Sequence, residues 1–251
     1  MTRFGLVELD LLATHAGAAI PYPLRVPSFG RVPGERDELF AAAAEALQVR
    51  GLADADGPAG PAADVVAALA RRRGTVDLVV RGPGGERGAV AMVYGKHAVL
   101  CKQDFDGEQL VDVRRIPLSA VATALTALVP DLAAATAMPV RLPAAAALVS
   151  AGHHQVVADH GGDPDELDAL TDLVSAVEGG GQLGATVTTR ESGDVRDTRT
   201  APELCWLDTP SGRVRVTTPS PSEADGWISV NPLSPSTLRQ AAETLVEELR
   251  R

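Results

Sequence analysis

Ala89-Val90-Ala91-Met92-Val93-Tyr94-Gly95-Lys96-His97-Ala98-Val99-Leu100-Cys101-Lys102-Gln103 decides the fold. It reads as two apolar strands, 89–94 and 97–103, about a tight turn at Gly95-Lys96. A turn this short forces the strands to pair antiparallel. Working outward, Val76-Asp77-Leu78-Val79-Val80 is a strand before the hairpin, and 109–116 is one after it. Helices bracket this set. Residues 62–73 put Val65, Val66 and Leu69 on one face ahead of Gly74, and Arg71-Arg72-Arg73 complement the negative end of the helix dipole. Pro117 opens a helix with Leu118, Val121, Leu125 and Leu128 on one face, and Pro130 ends it.

The same order recurs further along. Asp163-Pro164-Asp165-Glu166 is a capping-box-like start. The helix is expected to run to Glu178 with Leu167, Leu170, Val174 and Val177 aligned, and Gly179-Gly180-Gly181 reads as its stop. A strand at 182–190 follows, then a hairpin of 204–208 and 213–217 across Thr209-Pro210-Ser211-Gly212, then a strand at 226–230. Ser234 caps a last helix opened by Pro235, with Leu238, Ala242, Leu245 and Leu249 inward. Two halves, about 62–129 and 165–250, thus repeat helix, strand, hairpin, strand, proline, helix. The connector, about 130–164, carries a short expected helix near 143–151. Ahead of the repeat stand helices at 5–16 and 34–50, the second stopped by Gly51. The proline-rich stretch Pro21-Tyr22-Pro23-Leu24-Arg25-Val26-Pro27 between them is held extended. The expected fold is one α+β domain over 1–251. Its central antiparallel sheet is built from two pseudo-two-fold-related halves. Helices pack on one side with a helical C-terminal part, and the other face stays open as a binding platform.

Composition narrows the function. Of 251 residues, 45% are apolar and 22% charged, a globular balance, and only 3% are aromatic, so the core is aliphatic. A formal charge of -10 argues against nucleic acid or an anionic membrane as partner. Cys101 and Cys205 stand alone without a CxxC partner, which fits a reducing compartment. Glu8 and Asp10 interrupt the apolar residues of the N-terminus, so no signal peptide is read. The most apolar region is broken by Pro139, Arg141 and Pro143, so no membrane insertion is expected and a cytoplasmic location is.

No catalytic residue emerges. Gly82-Pro83-Gly84-Gly85-Glu86-Arg87-Gly88 lies between strands, not before a helix, so it reads as a hairpin loop and not as a phosphate cradle. No Gly-x-Ser-x-Gly occurs. His153, His154, Asp159 and His160 lack zinc-motif spacing; a metal-dependent hydrolase using His153, His154 and His160 stands as the alternative reading. No cofactor is expected. Trp206 and Trp227 are core aromatics or interface anchors. Alternation turns Thr186, Thr188, Arg190, Arg213, Arg215 and Ser229 away from the apolar faces of their strands. Thr186, Thr188, Arg190, Trp206, Arg213, Arg215 and Trp227 are therefore the candidate partner-binding residues.

Glu8-Leu9-Asp10 with Pro21-Tyr22-Pro23-Leu24-Arg25-Val26-Pro27-Ser28 resembles the opening of EspG-family, ESX-secretion-associated proteins. Cys205-Trp206-Leu207-Asp208-Thr209-Pro210-Ser211-Gly212-Arg213 resembles that family's Trp-containing strand and turn, and Gly226-Trp227-Ile228-Ser229-Val230 its final segment. The resemblance implies a non-catalytic cytosolic chaperone. Its partner would be a helical secretion substrate, a PPE-like protein paired with a PE-like one, whose tip it covers and directs to a type VII (ESX) export machine. Whether the chaperone also forms a homodimer stays open.

Overall fold

The computed structural model describes residues 1–136, 139–143, 162–191, 194–200, 203–218 and 226–250. Among these are six α-helices: α1 (Leu6–Ala16), α2 (Glu35–Val49), α3 (Pro61–Arg71), α4 (Val121–Thr126), α5 (Pro164–Ser175) and α6 (Pro235–Glu248). A 3-10 turn, Leu118–Ala120, leads into α4.

The strands are β1 (Thr2–Gly5), the short pair β2 (Ala53–Asp54) and β3 (Gly57–Pro58), β4 (Gly74–Gly82), β5 (Gly85–Tyr94), β6 (His97–Asp104), β7 (Leu110–Pro117), β8 (Val140–Pro143), β9 (Gly179–Glu191), β10 (Asp194–Arg199), β11 (Leu204–Thr209), β12 (Gly212–Thr217) and β13 (Trp227–Pro232). All but β2 and β3 join one 11-stranded sheet in the order β1-β7-β6-β5-β4-β9-β11-β12-β13-β8, with β10 on β9. Its neighbouring strands pair antiparallel, as the short turns require. The order reads alike from either end. Long strands β4 and β9 meet at the centre, from Gly74↔Val187 to Arg81↔Gly180, and each half closes with a hairpin, a further strand and a short edge strand.

Alternation along the strands sorts side chains onto two faces. One face buries Ala89, Ala91, Val93, Ala98, Leu100, Leu183 and Trp206 under α4 and α6, with Leu238, Ala242, Leu245 and Leu249 of α6 pointing in. Each fully buried leucine there contributes about 1.5–3 kcal/mol. Ser234 accepts the Thr237 amide at 3.1 Å and Pro235 fills the first turn, which fixes where α6 starts. On the opposite face, Val90, Met92, Val99, Cys101, Val111 and Val113 pack against α1 and α3. In the second half Val214 and Val230 pack against Leu167, Leu170 and Leu173 of α5 on that same face.

Helices therefore lie on both faces, which corrects the expected one-sided cover. The strands of both halves are apolar on both sides, and each exposed face needs a layer. Among the described residues, what stays open is the part of the second face around Val79, Gln182 and Leu207, between α1–α3 and α5. Other corrections are local. α5 stops at Ser175; Leu173 points in, while Val174 and Val177 are 55% and 36% exposed. Gly179-Gly180-Gly181 begins β9 and does not end the helix. The connector contributes β8 to the sheet edge. The short helix expected near 143–151 falls, beyond Pro143, outside the described residues. No described helix is long and apolar enough to cross a membrane.

Candidate functional site

The opening on the second face is a trough of about 480 Å³ along the central strands. Val79 of β4, Gly180 and Gln182 of β9, and Cys205 and Leu207 of β11 form its floor; Arg81 and the Val177-Glu178 end of the α5 segment flank it. Val79, Gln182, Cys205 and Leu207 are each half-buried. Such a floor presents apolar surface without deep enclosure, which suits contact with another folded surface.

A polar cluster closes one end. Gly184 faces the same side, and the Arg199 guanidinium lies over it: a Cβ there would stand 2.2 Å from Nη2, so only glycine gives the arginine its seat. Arg199 donates twice to Asp77, with Nη2–Oδ1 at 2.9 Å, and once to Glu203; Gln182 also donates to Glu203. Asp77 is 1% exposed. Burial raises its pKa above the ordinary carboxylate value, and the pairing with Arg199 opposes that rise. Burial alone would lower the Arg199 pKa; Asp77 and Glu203 raise it instead, so the cation is permanent. The proline-held segment before Ser28 brings Tyr22, 5.8 Å from the Arg199 guanidinium. That segment is tied down by the Arg25 amide donating to Gln103 Oε1 at 2.7 Å and Gln103 Nε2 donating to the Arg25 carbonyl at 3.2 Å. Burial, then the charge of Glu203, raises the Cys205 thiol pKa, so it is a poor nucleophile.

The seven residues expected from sequence do not form one surface. Register puts Trp206 opposite Gly181 and Arg215, with Arg213 opposite Asp208. These residues and Trp227 lie on the α6 side of the sheet, while Thr186, Thr188 and Arg190 alternate to the trough side. Trp206 is 2% exposed and belongs to the core. Arg213 is 1% exposed: Nε donates to Asp208 Oδ1 at 2.6 Å, Nη2 to Oδ2 at 3.0 Å and to the Pro130 carbonyl at 3.1 Å. Both are thus corrected from contact residues to structural ones, since neither reaches a surface. Arg215 and Trp227 are half-buried, the latter 5.0 Å from the Arg141 guanidinium.

On the trough side, Thr186 is half-buried beside Arg199 at 3.5 Å. Thr188 is buried and donates to Asp197 Oδ1 at 2.6 Å. Arg190 is exposed but committed: it donates to the Arg72 and Ala70 carbonyls at 2.6 and 2.8 Å, at the C-terminal end of α3. Arg72 joins this cap, donating to the Leu69 carbonyl at 2.9 Å and to Asp197 at 3.1 Å. The arginine run does serve the helix end, and it also ties that end to β10. Val79, Arg81, Gln182 and Leu207 were missed from sequence. The signal for Val79 and Leu207 was apolar residues at both parities of β4 and β11, which marks strands with two faces to satisfy.

Among the described residues, no group of three or more His, Cys, Asp or Glu side chains could hold a metal ion. His153, His154 and His160 lie outside the described residues. A pseudo-two-fold α+β scaffold with an open trough on one face of its sheet, closed at one end by the Asp77–Arg199–Glu203 cluster, defines the class of protein by its fold. Within that class the chain belongs to the EspG family, whose model matches residues 6–244. No curated protein matches it. Among solved structures it is similar to the Mycobacterium tuberculosis type VII secretion system chaperone EspG5, determined in complex with a PE25–PPE41 dimer. The TM-score is 0.68 at 14% identity, over 98% of this chain and 95% of that one.

Proposed function

We propose that the protein is a cytosolic, non-catalytic chaperone of type VII secretion. It binds the tip of a helical substrate pair of the PE–PPE kind, keeps the pair soluble and presents it to the export machine. Family membership carries this reading, and the trough supplies the surface. An exposed apolar tip on a helical hairpin aggregates until covered. The half-buried Val79, Cys205 and Leu207 offer apolar contact, Gln182 and Thr186 offer hydrogen bonds, and Arg81 and Tyr22 stand at the margins. Recognition of this kind works by shape and contact, so bond chemistry has no part in it.

Co-expression with a co-encoded helical secretion pair tests the reading. A soluble complex with one copy of each chain, measured by light scattering after size exclusion, is the expected result, with the pair precipitating when expressed alone. A pair that is soluble by itself and forms no complex overturns it.

A further inference from the structure

We propose that the groove between α5 and strands β12–β13 is a second docking surface, which takes an amphipathic helix rich in lysine or arginine from a protein partner. The groove measures about 530 Å³ and, among the described residues, shares no lining residue with the trough. Its apolar lining includes Ala169, Leu173, Val214 and Val230. Its α5 wall uses Asp165, Ala169, Asp172, Leu173 and Ala176, spaced by three and four residues. The groove therefore runs along the axis of α5 for about 16 Å, the rise of its 165–176 span. An elongated apolar slot beside a helix is the shape that a second helix fills with its own apolar stripe.

Charge selects which helix. Among the described residues, the lining holds the carboxylates of Asp165, Glu166 and Asp172 and no Lys, Arg or His, and α5 itself carries no basic residue. A helix whose cations flank its apolar stripe at three- and four-residue spacing matches this rim; an acidic helix is repelled. Nucleic acid and anionic lipid are repelled for the same reason. A second copy of this chain, with a formal charge of -10, is a poor occupant too.

The test is fluorescence anisotropy with a labelled amphipathic peptide of leucine and lysine, roughly 18 residues or five turns. A peptide with glutamate in place of lysine is the control. Three forms of the full chain are compared with the parent, each checked for folding by thermal melt. The first carries Asp165→Asn, Glu166→Gln and Asp172→Asn; the second carries Ala169→Trp to fill the slot. The third carries Asp37→Asn, Glu38→Gln and Glu45→Gln on α2. The expected result is binding about tenfold weaker for each groove variant, no change for the α2 variant, and no binding of the glutamate peptide. Equal weakening by the α2 variant, unchanged binding by the groove variants, or equal binding of the glutamate peptide overturns the proposal. Should Ala169→Trp fail to fold, the charge variant alone decides.

Discussion

Single residues in this protein divide by what their partners are, and sequence shows only half of that division. Arg213 and Arg215 look alike on one strand, yet Arg213 is 1% exposed with a two-bond pairing to Asp208, while Arg215 is half-buried. Removing Arg213 leaves Asp208 uncompensated in a buried setting. Arg213→Ala is therefore expected to cost about 3 kcal/mol or more, read as a lower midpoint in urea unfolding. Loss of client binding in that variant would reflect unfolding, not a lost contact. Asp197 sets a pH dependence. Burial alone would raise its pKa, but hydrogen bonds from Thr188 and Arg72 and the charges of Arg72 and Arg190 outweigh burial and hold it below its ordinary value of 3.8. A carboxylate lowered on folding stabilises above its unfolded pKa, and that stability fades as pH falls through the folded one. Asp197→Asn should thus be less stable than the parent at neutral pH, and the gap should shrink in acid below about pH 3.8. A gap that is constant with pH contradicts the pairing.

Elements were legible where the hydrophobic signal was long. The β5–β6 hairpin, the Ser234-capped α6 and the β11–β12 hairpin fall where the turns and caps in the sequence put them. β10 gives no such signal, because Asp194-Val195-Arg196-Asp197-Thr198-Arg199 is mostly charged and largely exposed. Its place is set by pairing with β9 and by Arg72 and Thr188 holding Asp197. β8 alternates Val140 and Leu142 correctly, but four residues beside alanines and prolines are too few to read. The glycine run misled because glycine also serves close approach. A Cβ on Gly181 would lie 2.3 Å from the Trp206 ring and 2.5 Å from the Val79 carbonyl. Gly181→Ala is expected to destabilise by about 2 kcal/mol and to weaken the near-ultraviolet dichroism of the packed indole. Unchanged stability and dichroism would mean that Trp206 does not rest on this glycine.

At the scale of the molecule, the repeat explains why the trough exists. Each half brings a helix to one face before its long strand and a helix to the other face after its last one. The closing helices α4 and α6 pack together over the centre of the first face. The opening helices α3 and α5 stay with the outer strands of their own halves, so among the described residues the second face is uncovered at the Val79–Gln182 end of the β4–β9 pair. The order of helices and strands was legible in sequence; this gap was not, because parity along one strand does not tell which helix covers it. The most direct measurement is calorimetric titration of the substrate pair into three folded variants. Val79→Asp and Leu207→Asp place a charge on the trough floor, and Arg215→Glu reverses one on the opposite face. Affinity should fall about 30-fold or more in the first two, equivalent to about 2 kcal/mol, and stay near the parent's in the third. Full affinity in the trough variants together with its loss in Arg215→Glu would move the client to the other side of the sheet.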